Sequence, residues 1–203
     1  SEMCIRDRFK LDPETAHNLA IKTLKFNYIP SKKVQHNKLL ETKIFGKKIP
    51  NPIGIAAGFD KDAEVYNSLF KLGFGYVEVG TITPRKQYGN PKPRVFRLEE
   101  DEALINRLGF NNSGSDKVRS RILSSPPTGL LGINIGPNKD TKDRVKDFLV
   151  GLRKFHDIGD YLTINISSPN TENLRNFHND EEMDELLQEI QTEKDKLKTN
   201  IPI

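Results

Sequence analysis

The chain has 203 residues, and its 35% hydrophobic and 30% charged content is typical of a soluble globular protein. No run approaches the roughly 18 apolar residues of a membrane-spanning helix, and residues 1–10 lack the apolar core of a secretory signal. The net charge is +4, but the basic residues are dispersed in short pairs, so we expect no nucleic-acid partner. The single cysteine, Cys4, excludes an internal disulfide.

The first predicted element is a helix that begins at Asp12 and runs to about Asn27. Asp12 supplies an N-cap, Pro13 suits the first helical position, and Glu14 places an acid in the first turn. Apolar residues then follow at helical spacing on one face. Spacing alone leaves two interpretations open, a helix packed on its own domain or a surface helix that meets a membrane or a partner.

Short apolar runs alternate with helical patterns over the rest of the chain. Residues 43–49 predict a small hairpin around a glycine. The later strands are predicted at 53–58, 76–80, 130–136 and 161–167, and the later helices at 63–72, 142–155 and 183–197. This alternation is typical of βαβ units in a parallel sheet. The last three residues, 201–203, resemble the first step of a fifth strand.

Each of the four predicted strands ends in small or polar residues. These ends are GFDK at 58–61, GT at 80–81, NIG at 134–136 and NISS at 165–168. Ligands bind at the carboxyl ends of parallel strands, where glycine permits close approach and amides suit a heteroaromatic ring better than an ion. One such ending is more often only turn chemistry, but four of the same character favour a ligand site.

Several other site types are disfavoured by the sequence. No Gly-x-Gly-x-x-Gly fingerprint follows the first strand and there is no Walker loop, so a (β/α) barrel is preferred over a doubly wound nucleotide fold. His17, His36, His156 and His178 are far apart, so we expect no metal site and interpret each as a surface or packing residue. The serines at 167 and 168 lack the context of a hydrolase nucleophile.

Six sequence blocks, read together and in order, resemble the dihydroorotate dehydrogenase family. They are NPIGIAAGFDKD at 51–62, GTITPR at 80–85, GNPKPR at 89–94, LINRLGFNN at 104–112, GINIG at 132–136 and INISSPNT at 164–171. The similarity extends from about Phe9 to the end. It implies an α/β fold, a (β/α)8 TIM barrel that is truncated here to about the first four βα units and preceded by a helical N-terminal extension.

The resemblance also implies a division of the chain. Residues 1–40 would be the helical extension, on the membrane and quinone side, and residues 41–203 the first half of an FMN-binding TIM barrel. Residues 1–8 match nothing expected of the family and are a candidate for a non-native junction.

The activity implied by the resemblance is oxidation of (S)-dihydroorotate to orotate with FMN, in de novo pyrimidine (UMP) biosynthesis. In this family a base removes a proton from C5 of the substrate while a hydride passes from C6 to the flavin. Ser168 matches the base position, where serine marks class 2, the quinone-dependent class, and cysteine the soluble class. A serine hydroxyl must pass its proton onward, and Thr171 is a speculative member of that relay.

Further roles follow from the resemblance position by position. Substrate contacts are expected from Lys61, Asn106, Arg107, Leu108, Gly109, Phe110, Asn165 and Asn170. Flavin contacts are expected from Ala57, Gly58, Phe59, Asp60, Lys61, Thr81, Asn134 and Asn165. The N-terminal helix resembles the extension that forms the quinone entrance, so we expect a peripheral protein on the cytoplasmic face of the inner membrane.

The resemblance covers half of what a family barrel needs. The later strands, with their lysine, Thr-Asn pair and phosphate-binding loops, are missing, so we expect these 203 residues alone to be inactive. Two alternatives remain open: a flavin-dependent dihydropyrimidine or dihydrouridine oxidoreductase, and a nonfunctional half-barrel fragment.

Overall fold

The computed structural model describes residues 10–26, 37–169 and 174–203. Its helices are α1 (Pro13–Lys25), α2 (Tyr66–Lys71), α3 (Ser115–Ser124), α4 (Arg144–Phe155) and α5 (Asp180–Leu197), with 3-10 turns at Lys38–Leu40 and Leu174–His178. Its strands are β1 (Thr42–Ile44), β2 (Lys47–Ile49), β3 (Gly54–Ile55), β4 (Tyr76–Ile82), β5 (Val95–Leu98), β6 (Ala103–Asn106), β7 (Leu130–Ile135) and β8 (Tyr161–Ile164).

Four strands form one parallel sheet in the order β3-β4-β7-β8. Tyr76 pairs with Leu130 and Gly132 pairs with Tyr161, so the strands start close to one level and their carboxyl ends share an edge. The register shifts between Val79 and Ile82, near the carboxyl end of β4. These are the four predicted strands, and the prediction of an α/β fold with a parallel sheet is confirmed.

Side chains on alternate positions of β7 face opposite sides of the sheet, and both sides are covered. Leu131, Ile133 and Ile135 belong to the main core cluster together with buried residues of α3 and α4. Leu130 belongs to a second cluster on the opposite face. Every residue of β7 is buried, and the strand is an apolar run broken only by Asn134 rather than an alternating pattern.

The β1–β2 hairpin covers the amino end of the sheet. Ile49 packs with Leu130 and Tyr161, the first residues of β7 and β8, in the second cluster. Lys47 forms an ion pair with Asp160 in the turn before β8. The predicted hairpin is therefore present, and it lies at the end opposite to the predicted ligand-binding edge.

Helix α1 begins as its sequence predicts and packs on the barrel. The Asp12 carboxylate accepts a hydrogen bond from the Thr15 amide at 2.9 Å and caps the helix. Ile21 is buried, whereas Leu19 and Phe26 are 51% and 75% exposed. The helix thus packs on its own domain and leaves an apolar outer face.

Within the described residues, none of the helices combines the length and apolar character needed to cross a membrane.

Four local features differ from the sequence expectations. The strand predicted at 53–58 is limited to Gly54–Ile55. Helix α2 begins at Tyr66 rather than at residue 63, because the Asp60 carboxylate holds the amides of Glu64 and Val65 at 2.7 and 2.8 Å. The antiparallel pair β5–β6 was not predicted. Helix α3, which begins after Gly114 at φ 87°, was also missed.

Candidate active site

A cavity of about 400 Å³ lies at the carboxyl ends of the parallel strands, and we call it the strand-end cavity. Its lining combines glycines, neutral side-chain amides, one lysine and one glutamate. The lining residues are Ala56, Ala57, Gly58, Lys61, Glu78, Gly80, Thr81, Asn106, Leu108, Gly109, Phe110, Asn111, Asn134, Asn165 and Ser168. The parallel sheet therefore gathers all four predicted strand ends at one cavity.

Three polar side chains from neighbouring strands are hydrogen-bonded to one another in this cavity. The Thr81 hydroxyl donates to Asn134 Oδ1 at 2.7 Å and accepts from Asn165 Nδ2 at 2.9 Å. Asn165 Oδ1 in turn accepts from the amide and hydroxyl of Ser167 at 3.2 and 3.1 Å. The bonds connect the ends of β4, β7 and β8 to the loop that carries Ser168.

The segment 106–111 forms another wall of the strand-end cavity and is held from behind. Gln87 donates to the Gly109 carbonyl at 2.9 Å, and the Asn90 side chain donates to the Arg107 carbonyl at 2.8 Å. The Arg107 guanidinium donates to the Pro93 carbonyl at 2.9 and 3.2 Å. It does not line the strand-end cavity. The Arg107 guanidinium thus fixes the backbone of this segment, and the expected substrate contact of Arg107 stays a prediction.

Lys61 lies between the strand-end cavity and a second cavity on the side of α1. Its ammonium donates to the Gly58 carbonyl at 2.5 Å. Burial lowers the pKa of the Lys61 amine, and the nearby Glu14 carboxylate opposes that shift. A partly desolvated cation is therefore available to a ligand carboxylate or to developing negative charge.

The second cavity, which we call the helix-side cavity, has a volume of about 490 Å³ and lies between α1 and the barrel. It is lined by Pro13, Glu14, His17, Asn18 and Ile21 of α1 and by Gly58, Phe59, Asp60, Lys61, Asp62, Glu64, Val95, Arg97, Leu104, Asn106, Leu108 and Asn111. Five residues, Gly58, Lys61, Asn106, Leu108 and Asn111, line both cavities. The two cavities are therefore adjacent and share part of their lining.

His17 was interpreted from the sequence as a surface or packing residue, and the structure places it in the helix-side cavity. Its ring meets the edge of Phe59 with centroids 5.4 Å apart. Burial, together with the positive charge of Lys61, lowers the pKa of His17 to about 4, so the imidazole is neutral at pH 7. Isolated histidines carry no spacing signal, and only the folded position of α1 reveals this contact.

The lining of the strand-end cavity fits a flat heteroaromatic cofactor such as the isoalloxazine ring of FMN. Gly58 has φ 106°, and a Cβ built there would project into open space, so the backbone can be approached closely. The buried Asn111 Oδ1 has no hydrogen-bond partner among the described residues, which a ligand donor would supply. No group of three or more potential metal ligands is found in the described parts of the chain.

The predicted site residues fall into four groups in the structure, one of which is Arg107, outside both cavities. The residues in the strand-end cavity are Ala57, Gly58, Lys61, Thr81, Asn106, Leu108, Gly109, Phe110, Asn134, Asn165 and Ser168. Phe59 and Asp60 line only the helix-side cavity, and the Asp60 carboxylate accepts from the amides of Glu64 and Val65 just before α2. Asn170 and Thr171 lie outside the described residues. Glu78, Asn111, Glu14 and His17 line the cavities and were not predicted.

Comparison with known proteins places this architecture in a family. Residues 39–202 match the family model described as dihydroorotate dehydrogenase. A dihydroorotate dehydrogenase (quinone) from Rhizobium etli is 47% identical over 192 residues, covering 95% of this chain and 53% of the relative. The corresponding protein of Bartonella tribocorum is 52% identical over 182 residues, covering 90% of this chain and 50% of the relative.

Solved structures agree with the sequence relatives. The crystal structure of DHODH in complex with ferulenol from Eimeria tenella superposes with a TM-score of 0.86 at 42% identity, over 92% of this chain and 52% of that one. The chain thus spans about half the length of the relatives it matches. The chain belongs to the dihydroorotate dehydrogenase family.

Proposed function

We propose that this chain supplies the first half of a quinone-dependent dihydroorotate dehydrogenase, which oxidises (S)-dihydroorotate to orotate in pyrimidine biosynthesis. One observation carries the proposal: Ser168, Lys61 and the amides of Asn106 and Asn165 line a single cavity. This set combines a proton acceptor, a cation and neutral hydrogen-bonding groups. A substrate with a ring of amide groups and a carboxylate needs these partners.

In the proposed reaction, Ser168 accepts the proton that leaves C5 of dihydroorotate, and the hydride leaves C6. The Asn106 and Asn165 amides hold the substrate ring, together with the backbone of residues 108–110. Lys61 supplies positive charge beside the carboxylate and the developing negative charge. The Ser168 hydroxyl then passes its proton onward, because a free serine is a weak base.

FMN is the proposed cofactor, and it would be held by the residues that end β3, β4, β7 and β8. When bound, FMN supplies the two-electron acceptor for the hydride. Ala57 and Gly58 offer open backbone, while Thr81, Asn134 and Asn165 offer polar side chains at the same cavity. These groups would orient the ring and keep its substrate face towards Ser168.

A quinone is the proposed final electron acceptor, and the helix-side cavity is its proposed approach. The cavity is separated from the strand-end cavity by shared side chains, including Lys61. Leu19 and Phe26 on the outer face of α1 are exposed apolar groups beside the basic Lys22. We infer a peripheral position on the cytoplasmic face of the inner membrane, where such a helix contacts lipid.

We further propose that the 203 residues alone are inactive. An apolar groove of about 380 Å³ lies beside β8, lined by Tyr161, Leu162, Thr163, Ile164, Ile166 and by residues of α5. The relatives continue for about as many residues again as the chain matches. In a closed barrel the later strands would cover this groove and complete the cofactor site.

The test is turnover by a chimera that joins this chain to the C-terminal half of the Rhizobium etli relative. We expect dihydroorotate-dependent reduction of a water-soluble quinone by the chimera and none by the unjoined chain. Dihydrouracil, which lacks the carboxylate, is the matched substrate control and should be oxidised poorly. A chimera that holds FMN and oxidises dihydrouracil in preference to dihydroorotate would contradict the proposal and favour a dihydropyrimidine oxidoreductase.

A further inference from the structure

Glu78 is the charged end of the hydrogen-bonded network in the strand-end cavity. It lies in the middle of β4 and accepts three side-chain hydrogen bonds. Asn134 Nδ2 donates to Oε1 at 2.8 Å, while the hydroxyls of Tyr161 and Thr163 donate to Oε2 at 2.9 and 3.1 Å. The carboxylate therefore receives donors from both β7 and β8.

The direction of the neighbouring bonds follows from the chemistry of Glu78. An ionised carboxylate can only accept, so Asn134 must turn its amide nitrogen towards Glu78 and its oxygen away. That oxygen accepts from the Thr81 hydroxyl at 2.7 Å. A hydroxyl has one hydrogen, so the Thr81 oxygen is left to accept from Asn165 Nδ2 at 2.9 Å.

The same direction continues into the loop after β8. Since Asn165 turns its nitrogen towards Thr81, its Oδ1 faces the amide and hydroxyl of Ser167. A reversed Asn165 would put its NH₂ group against the Ser167 N–H, two donors face to face. The side-chain hydrogen bonds that link Glu78, Asn134, Thr81, Asn165 and Ser167 therefore run in one consistent direction. We call this chain of hydrogen bonds the ladder, and it ends next to Ser168.

The ladder also decides what the cavity presents to a ligand. Asn134 and Asn165 each use one amide hydrogen within the ladder and retain a second. Both side chains line the strand-end cavity. A ligand acceptor such as a pyrimidinedione carbonyl oxygen is the partner that a remaining amide hydrogen would bind.

We propose that Glu78 is a positioning residue that fixes the amide orientations of Asn134 and Asn165 and, through them, the loop that carries Ser168. The relevance to catalysis rests on the proposed function, whereas the orientation of the amides does not. The property that matters is the acceptor at Oε1, and the negative charge is secondary.

Two substitutions separate these properties. Glu78→Gln keeps the shape and can still accept from Asn134 through its Oε1, while the hydroxyls of Tyr161 and Thr163 rotate to accept from its NH₂ group. Glu78→Met has a similar length and cannot accept from Asn134 with useful strength. Thr163→Val is the control, because it removes a donor to Glu78 that is not part of the ladder.

The readout is the side-chain amide signals of Asn134 and Asn165 in ¹⁵N-labelled chain, measured without flavin or substrate. In Glu78→Met we expect the side-chain NH₂ hydrogens of Asn165 to exchange with water about tenfold to a hundredfold faster than in the parent chain. Glu78→Gln and Thr163→Val should leave this protection within about twofold of the parent chain. Thr81→Val removes the acceptor of Asn165 Nδ2. It should therefore speed hydrogen exchange of the Asn165 side-chain amide, while the Asn134 amide stays protected by Glu78.

An unchanged Asn165 amide in Glu78→Met would overturn the proposal, as would an equal loss in Thr163→Val. Loss of protection in Glu78→Gln would also overturn it, because charge would then be the property that matters. If Glu78→Met does not fold, Glu78→Gln remains, and loss of Asn165 protection in that variant overturns the proposal. Because no turnover is measured, the ladder can hold while the proposed function fails in the chimera, and the reverse.

Discussion

Glu14 of α1 and Arg94, which precedes β5, form a buried two-point ion pair. Arg94 Nη2 lies 2.5 Å from Glu14 Oε1, and Arg94 Nε lies 3.1 Å from Glu14 Oε2. The same guanidinium donates to the carbonyls of Tyr88 and Asn90 at 2.6 and 3.0 Å. Since Asn90 also holds the Arg107 carbonyl, the pair connects α1 with the segment that lines both cavities.

Glu14→Gln is expected to destabilise the chain by about 3 kcal/mol, because it leaves the buried Arg94 guanidinium without its counter-ion. The measurement is the free energy of unfolding in urea at pH 7. Asp140→Asn is the matched control, since the ion pair of Asp140 with Arg85 is exposed and should contribute about 0–1 kcal/mol. Equal losses in the two variants would contradict the buried geometry of the Glu14 pair.

His17→Gln is expected to flatten the dependence of stability on acid pH. The pKa of His17 is about 4 in the folded chain and 6.5 ordinarily, so the unfolded chain binds the proton first as pH falls. Stability should therefore decrease between pH 6.5 and 4, by about 1–2 kcal/mol for a half-buried group. Urea unfolding at pH 7, 5.5 and 4.5 measures this difference.

The control for that experiment is Asn18→Gln, which changes a neutral side chain of the same cavity lining and should keep the acid slope of the parent chain. The pKa of Glu14 is held below its usual range by the hydrogen bond from Arg94, so its contribution to stability is also lost as pH falls. That loss is common to all the variants and cancels in the comparison. A parent slope that persists in His17→Gln would show that His17 is not buried as described.

Two adjacent leucines of α5 provide a test of how that helix packs. Leu186 is 1% exposed and belongs to the main core, whereas Leu187 is 51% exposed. Leu186→Ala should cost about 2–5 kcal/mol because it leaves a cavity, and Leu187→Ala about 0.5 kcal/mol or less. Thermal and urea unfolding of both variants check this, and a larger loss in Leu187→Ala would contradict the observed helix face.

Ser168→Ala should reduce dihydroorotate turnover by the chimera by about 10²–10⁴-fold, the usual contribution of a positioned proton acceptor. FMN retention should be unchanged, because the variant removes only a hydroxyl from the cavity lining. Single-turnover flavin reduction under anaerobic conditions measures this step apart from the quinone. A Ser168→Ala chimera that reduces flavin at the parent rate would exclude Ser168 as the base.

The sheet could be predicted from the sequence because its central strands are largely buried. Leu130–Ile135 and Tyr161–Ile164 are nearly uninterrupted apolar runs, and burial rather than local propensity fixes their structure. The β5–β6 pair was missed because Ala103–Asn106 is exposed along its whole length, so no apolar alternation marks it. Helix α3 did offer a signal, since Val118 and Ile122 are four residues apart and both buried.

The neutral residues at the strand ends of the candidate site were predictable for a similar reason, whereas Glu78, Glu14 and His17 were not. Thr81, Asn134 and Asn165 end neighbouring parallel strands, so the sheet itself brings them together. Glu78 is inside a strand, where a single acid in an apolar run gives no indication of three donors around it. Glu14 and His17 reach the helix-side cavity only through the docking of α1, a long-range contact that sequence spacing does not encode.

Anaerobic bleaching of bound FMN by dihydroorotate tests the central claim most directly. The 203-residue chain and the chimera are each incubated with FMN, freed of unbound flavin, and mixed with dihydroorotate in the absence of oxygen. We predict that the chimera retains flavin and that dihydroorotate bleaches it, while the chain alone shows no bleaching. A chimera that retains FMN but is not bleached by dihydroorotate would contradict the account.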